Sequence, residues 1–170
     1  MTVLETARIR LRPWTSGEAD IALWLELHAD ERVSEFVGRY TRESAAERLT
    51  GMEKQWAERG HGQFVLESRV DGSFVGRAGL NYWEQFDEVE AAWTLHADAW
   101  GRGYATEAAA AFLEWGFRTL DVPYITAMIR PHNERSLRVA GRMGFTELRR
   151  DVLFGNPVIV HSRARESAGS

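Results

Sequence analysis

Cysteine is absent from the 170-residue chain. That excludes a disulfide framework, a thiolate zinc site and a cysteine nucleophile. Lysine is almost absent: of 21 basic residues only Lys54 is lysine, and the rest are arginine. With 25 acidic residues the formal charge is −4. Nucleic acid is therefore not expected as the main partner, because neutralising phosphates needs a basic surface. Long apolar runs are missing too. The longest, near Ala108–Leu113, falls far short of the ~20 residues that span a bilayer. The opening Met1–Arg8 has no basic segment followed by an apolar one, so no secretory signal is read. A cytoplasmic protein without membrane contact is expected. The five histidines show no His-Glu-x-x-His spacing, and no metal is expected. Without a Gly-x-Ser-x-Gly elbow, serine hydrolase chemistry has no support.

What is present fits one ordinary globular domain over residues 1–170: 44% hydrophobic and 27% charged, with no repeat or linker. Alternation over Ala7–Pro13 predicts a strand. Thr15-Ser-Gly-Glu18 matches a capping box and predicts a helix through Leu27. A second helix is expected from Thr41 to Gly60. Gly62–Arg69 and Ser73–Leu80 flank Asp71-Gly72, a strong hairpin signal. Asn81–Asp87 is read as a loop and Val89–Leu95 as a strand. A long helix should cover Tyr104–Leu120, with Ala105, Ala109, Phe112 and Gly116 on one face. Tyr124–Ile129 is a strand. Asn133 is the expected cap of a short helix ending near Met143 and Gly144. Phe145–Arg149 and Val158–His161 complete the strands, joined through Gly155-Asn156-Pro157, and Arg163–Ser170 reads as a polar tail. The crossover between residues 89 and 129 favours a parallel pair, and the hairpins favour antiparallel ones. The expected class is α/β: a mixed, mostly antiparallel sheet with helices on both faces.

The segment Leu95-His-Ala-Asp-Ala-Trp-Gly-Arg-Gly-Tyr-Ala-Thr-Glu107 carries the sharpest chemical signal. Gly101 and Gly103 allow a tight turn, and the following helix starts with free N–H groups and a positive dipole end. Backbone donors at Arg102, Gly103, Ala105 and Thr106 suit a phosphate or pyrophosphate, with Arg102 adding charge. A plain strand-to-helix turn is the competing reading. Walker A is excluded because no lysine is present here. The dinucleotide fingerprint is broken by Thr106 at its third glycine. Some thirty residues on, Asn133-Glu-Arg-Ser136 precedes Gly144-Phe145, which alone reads as a cap and a C-terminal glycine.

Together these elements resemble the GNAT superfamily of acetyl-CoA-dependent N-acetyltransferases, and within it the Rim-type branch that acetylates ribosomal-protein N-termini. Its acyl-CoA motif is matched by Trp100-Gly-Arg-Gly103-Tyr104-Ala105, and its Asn-x-x-Ser…Gly-Phe element by Asn133, Ser136, Gly144 and Phe145. Leu4–Trp14 and Phe74-Val-Gly76-Arg-Ala-Gly79-Leu resemble strands of that branch. The resemblance implies a parallel central pair splayed apart at the CoA site. It places pantetheine against backbone near Trp93–Leu95, pyrophosphate on residues 101–106, and Asn133 and Ser136 along the pantetheine. Arg138 is then either a CoA phosphate contact or a plain surface arginine. Two departures stand out. Trp100 replaces the usual Gln or Arg, and Ala140 occupies the place of the tyrosine general acid, leaving Ser136 as the nearest candidate acid.

The implied reaction is direct attack of a neutral primary amine on the acetyl-CoA thioester, in a protein N-terminus or a small molecule. Around a tenth of α-amines (pKa ~8) are neutral at pH 7, against a few in ten thousand lysines (~10.4), so α-amines are favoured. Glu90 is the candidate base, its alternative being a solvent-facing strand residue. A backbone N–H near Leu95 would polarise the carbonyl. Tyr40, Trp83, Phe86 and Trp93 are candidate acceptor-binding aromatics, and Asp87 and Glu88 are candidate attractors for a cationic amine. A non-catalytic acyl-CoA-binding module and an enzyme acetylating a drug amine remain alternatives. Exposed aromatics and the family's habit are compatible with a homodimer.

Overall fold

The computed structural model describes residues 1–167. Strands β1 (Leu4–Glu5) and β2 (Ile9–Pro13) lead into helices α1 (Glu18–Ala29), α2 (Glu31–Val37) and α3 (Arg42–Arg59). Then come β3 (Gln63–Ser68), β4 (Phe74–Trp83), β5 (Glu88–Leu95), α4 (Tyr104–Thr119), β6 (Tyr124–Ile129), α5 (Glu134–Arg142), β7 (Thr146–Leu153) and β8 (Asn156–Ala164). They form one eight-stranded sheet ordered β1-β2-β3-β4-β5-β6-β8-β7. Only the β5–β6 pair is parallel, because α4 carries the chain back to the same end of the sheet. This is the mixed α/β architecture expected, with helices on both faces.

Phe64, Val65 and Leu66 are consecutive and fully buried, yet they serve two different cores. Phe64 and Leu66 join the larger core with Leu80, Phe112 and Ile125 from the α4 side. Val65 joins Trp14, Trp24, Leu49 and Met52 under α1 and α3. Alternate strand residues face opposite sides, and a strand covered on both sides must be apolar at every position.

Several expectations need correction. The Thr15–Glu18 capping box does not form. Gly17 is the N-cap without a side-chain bond, because Thr15 donates instead to Asp20 through its N–H (2.8 Å) and its hydroxyl (3.0 Å). Arg12 holds the same carboxylate at 2.9 and 3.1 Å. Helix α2 was not expected; it is about two turns long, with only Val33 buried, too little for a periodic signal. Its cap, Asp30 accepting from the Arg32 N–H, was the available cue. Asn81–Trp83 is strand rather than loop, paired with Glu88–Glu90. The last hairpin is longer than expected and turns at Phe154-Gly155, both with positive φ. Pro157 sits inside β8, tolerated because pairing with β6 stops at Ile159. β8 takes in Arg163 and Ala164 from the expected tail, and positions 168–170 lie outside the described residues.

Gly79 lets β3 and β4 touch. A Cβ there would lie 2.5 Å from the Gly62 carbonyl oxygen and 2.6 Å from the Gln63 Cα, both backbone atoms. Gly79→Ala is expected to lower unfolding stability by about 1–3 kcal/mol through overpacking, read by urea denaturation. His28 gives a second expectation. Burial, with Arg77 next in effect, holds its imidazolium down to about 3 from 6.5. The unfolded chain therefore takes up a proton below about 6.5 that the folded chain refuses until about 3. Stability contributed by this group is lost as pH falls through that window, at up to about 1.4 kcal/mol per pH unit. The urea midpoint should drop from pH 7 to pH 5, and His28→Gln, which cannot titrate, should flatten that drop.

Candidate active site

The site begins where the sheet fails. β5 and β6 pair at a single position, Glu90 against Thr126, with the Thr126 hydroxyl also donating to the Val89 carbonyl at 3.3 Å. Beyond it the strands part. The Met128 backbone of β6 lies near enough to the Glu90 carboxylate to favour its ionised form. The His96 N–H bonds the Val75 carbonyl at 2.9 Å, so even-numbered residues of β5 turn their backbone groups toward β4. The odd ones, Trp93 and Leu95, turn theirs into the opening.

The chain leaves β5 through a short turn at Ala97–Ala99 and reaches α4 by way of Gly101 (φ 77°) and Gly103 (φ 81°). Those conformations strain any side-chain-bearing residue. Gly103 caps α4 without a side-chain bond. The first internal bond runs from the Glu107 N–H to the Gly103 carbonyl at 3.0 Å, leaving the N–H groups of Tyr104, Ala105 and Thr106 for an outside acceptor. Glu107 fixes this corner by accepting from the Arg8 N–H at 3.0 Å and Arg8 Nε at 2.8 Å. The Arg135 guanidinium lies 3.8 Å from the Trp100 ring centroid, so a cation stands beside the position where Trp100 removes a polar side chain. Free N–H groups, a dipole end and nearby guanidinium groups form a donor set that suits a pyrophosphate.

A cavity of about 510 Å³ extends from the opening toward α3. Its end at the opening is lined by Trp93, Thr94, Met128, Asn133 and Ser136; its far end by Tyr40, Arg48, Gln63, Arg77, Asn81 and Glu90. A smaller cavity beside it, lined by Leu95, Trp100, Ala105 and Arg135 among others, continues toward α4. Alternation along β4 places Arg77, Asn81 and Trp83 on one face, opposite Glu90, Ala92 and Thr94 of β5. Gly79 and Ala92 at the middle leave the space. Helix α2 covers the opening. Phe36 stacks on His132 at 5.3 Å, and Arg130 donates to the Glu35 carbonyl at 3.0 Å.

Glu90 is buried, 5% exposed, which removes the solvent-facing alternative. It accepts from Trp83 Nε1 at 2.8 Å and Asn81 Nδ2 at 3.0 Å. Burial nevertheless raises its pKa above the ordinary 4.5, outweighing those bonds and the nearby Arg48. Asn81 Oδ1 accepts from Gln63 Nε2 at 2.9 Å and from Arg48 at 3.3 Å. Gln63 Oε1 accepts from Arg77 at 2.9 Å. Arg77 also meets His28 Nε2 at 3.3 Å. His28 Nδ1 lies 2.7 Å from the Trp24 carbonyl and must carry the proton, leaving Nε2 as a neutral acceptor.

The fold thus gathers Tyr40, Trp83, Glu90, Trp93, Leu95, Ala105, Asn133 and Ser136 around the two cavities, with Gly101–Thr106 at the mouth. Phe86 lines neither cavity and packs against Arg149 at 5.4 Å. Arg138 is exposed and also lines neither. Asp87 and Glu88 do not face the cavity: Asp87 accepts from Tyr82 (2.6 Å), and Glu88 from Arg149 (2.6 and 2.9 Å) and Tyr124 (2.8 Å). Ala140 is fully buried in the larger core. Arg48, Gln63, Arg77 and Asn81 went unnoticed in the sequence. The spacing Arg77-x-Gly79-x-Asn81-x-Trp83 was the available signal, a polar strand face interrupted by a glycine.

The model of the acetyltransferase (GNAT) domain matches residues 8–146. The Bacillus subtilis protein YkkB is 27% identical over 166 residues, 95% of each chain. A GnaT-family acetyltransferase structure from Bordetella pertussis is 28% identical, covers 96% of this chain and 100% of that one, and superposes with a TM-score of 0.84. An acetyltransferase from Agrobacterium tumefaciens is 32% identical over 96% of this chain and 94% of its own, with a TM-score of 0.82. At lower identity, a ribosomal-protein-S5-alanine acetyltransferase from Vibrio fischeri (16%, TM-score 0.79) and an aminoglycoside acetyltransferase in complex with coenzyme A (20%, TM-score 0.75) share the fold alone. The splayed strand pair, the uncapped start of α4 and the match over residues 8–146 lead to one conclusion: the chain belongs to the GNAT acetyltransferase family and is an acetyl-CoA-dependent N-acetyltransferase.

Proposed function

We propose that the chain acetylates the α-amine of a protein N-terminus or a small molecule, with Glu90 as general base. The observation that carries this reading is the buried Glu90 carboxylate, held at the point where β5 and β6 separate and facing the cavity. Acetyl-CoA, when bound, supplies the acetyl group as a thioester. The free N–H groups of Tyr104, Ala105 and Thr106, with Gly101, Arg102 and Gly103 before them, take its phosphates. Backbone groups of Trp93 and Leu95 take the pantetheine amides as an added strand would, flanked by Asn133 and Ser136. An N–H at the Leu95 end polarises the carbonyl.

Glu90 accepts the proton that the amine loses on acylation. Its raised pKa brings it closer to that of an α-amine (~8), which favours proton transfer at neutral pH. The two donors on Glu90, from Trp83 and Asn81, hold its orientation. Ser136, which with Thr94 lines both cavities, donates to the departing sulfur. Tyr40 and Trp83 form the aromatic walls of the acceptor end, and Trp93 lies where the two cavities meet.

Glu90 works only when ionised, so kcat/KM is expected to fall as pH drops through a pKa above 4.5. Glu90→Gln should lower kcat by about a hundredfold or more and abolish that acid limb, with acetyl-CoA binding retained by calorimetry. An unchanged rate or an unchanged limb would remove Glu90 from the base role. Ser136→Ala should lower kcat by about tenfold with little change in KM for acetyl-CoA; equal rates would leave the sulfur protonated by solvent.

A further inference from the structure

From the far end of the cavity we infer that the acceptor is a small amine carrying a carboxylate within a few bonds of its nitrogen, such as a free amino acid. The inference rests on the acetyltransferase reading of this same cavity. Arg77 is 7% exposed, the most deeply buried arginine among the described residues, and it lines the cavity. Buried cations are ordinarily matched by a carboxylate, and elsewhere in this chain Arg12 is matched with Asp20 and Arg149 with Glu88. Arg77 hydrogen-bonds only neutral groups, the Gln63 amide oxygen and His28 Nε2. Its Nε is buried without any partner. Arg48 faces the same space, hydrogen-bonded to the neutral Asn81 amide at 3.3 Å.

Glu90 is the one carboxylate in the lining, set against Arg48, Arg77 and Arg130. At the far end Arg48 and Arg77 thus outnumber Glu90, the base, and leave a positive surplus. An anion between Arg48, Arg77 and Tyr40 completes the charge balance that the protein leaves open. Only the Asn81 amide separates Arg48 from Glu90: it accepts from the first and donates to the second at 3.0 Å. A molecule with its carboxylate on the arginines can present its amine to Glu90 only if the two groups are close together. A polycationic amine would meet like charge at the arginine end. A peptide N-terminus without an acidic group would leave both guanidinium groups unmatched.

The test pairs free amino acids with their carboxamides, N-terminally free peptides with neutral first residues, and aminoglycosides, each with acetyl-CoA and thiol release as readout. Free acids are expected to exceed their carboxamides by about tenfold or more in kcat/KM, as charge-assisted hydrogen bonds predict. Arg48→Gln should erase that preference by raising acceptor KM, with KM for acetyl-CoA unchanged. Arg77→Met should do the same where it folds. Carboxamides, neutral peptides or aminoglycosides matching the acids would overturn the inference while leaving the acetyltransferase reading intact. Calorimetry of N-acetyl amino acids and their amides against the CoA complex needs no turnover. Tight binding of the acids alone, with no thiol release from any amine, would sustain the anion site and sink the proposed reaction. Equal or absent binding of acid and amide would sink the anion site.

Discussion

The rest of the site depends on one broken ladder. β5 and β6 are parallel neighbours paired only at Glu90 and Thr126. Past that rung, backbone groups that a sheet would ordinarily saturate are turned toward a cleft, and unsaturated buried backbone is costly unless something else binds it. That requirement makes the opening a place for an extended, amide-bearing ligand. The start of α4 stands at the same end, because the crossover that makes the strands parallel also delivers a helix N-terminus there. Pairing, crossover and anion corner thus follow from one another.

Glu90 sits at the junction of two constraints. Its backbone makes the one rung of the β5–β6 pairing, and its carboxylate faces the cavity. From it a chain of side chains runs through Asn81, Gln63 and Arg77 to His28, deep beneath α1. Such a network is rigid when satisfied and expensive where it is not. It is satisfied at every step except the Arg77 Nε. The arginine-rich composition acquires a specific meaning here. Ten of the twenty arginines pair with a carboxylate, whereas Arg48 and Arg77 face the cavity with neutral partners.

Local features of the fold were legible because local chemistry decides them. Asp71-Gly72 set a hairpin, Thr41 and Asn133 capped their helices, and Tyr124–Ile129 matched an observed strand end to end. The misses have equally physical causes. Thr15 was drawn away from capping by Asp20, a partner fixed by Arg12 from a neighbouring strand. Helix α2 carries one buried residue and hence no period. Trp83 looked like a loop aromatic until Glu90 claimed its indole N–H. The turn that starts α4 was readable from Gly101 and Gly103, whereas Arg48, Gln63 and Arg77 come from three separate elements with no shared local pattern.

By itself the sequence determined the absence of cysteine chemistry, most of the elements, the turn that starts α4 and the family to which these belong. Those properties rest on residue type and on interactions within a few positions along the chain. Only the tertiary structure decided that Glu90 is buried rather than solvated, that Phe86 and Arg138 stand outside the cavities, and that Arg48 and Arg77 line the same cavity as Glu90. Burial and charge matching depend on which distant strands and helices become neighbours. An ionisable group takes its pKa and its partners from that surrounding space and not from its place in the sequence.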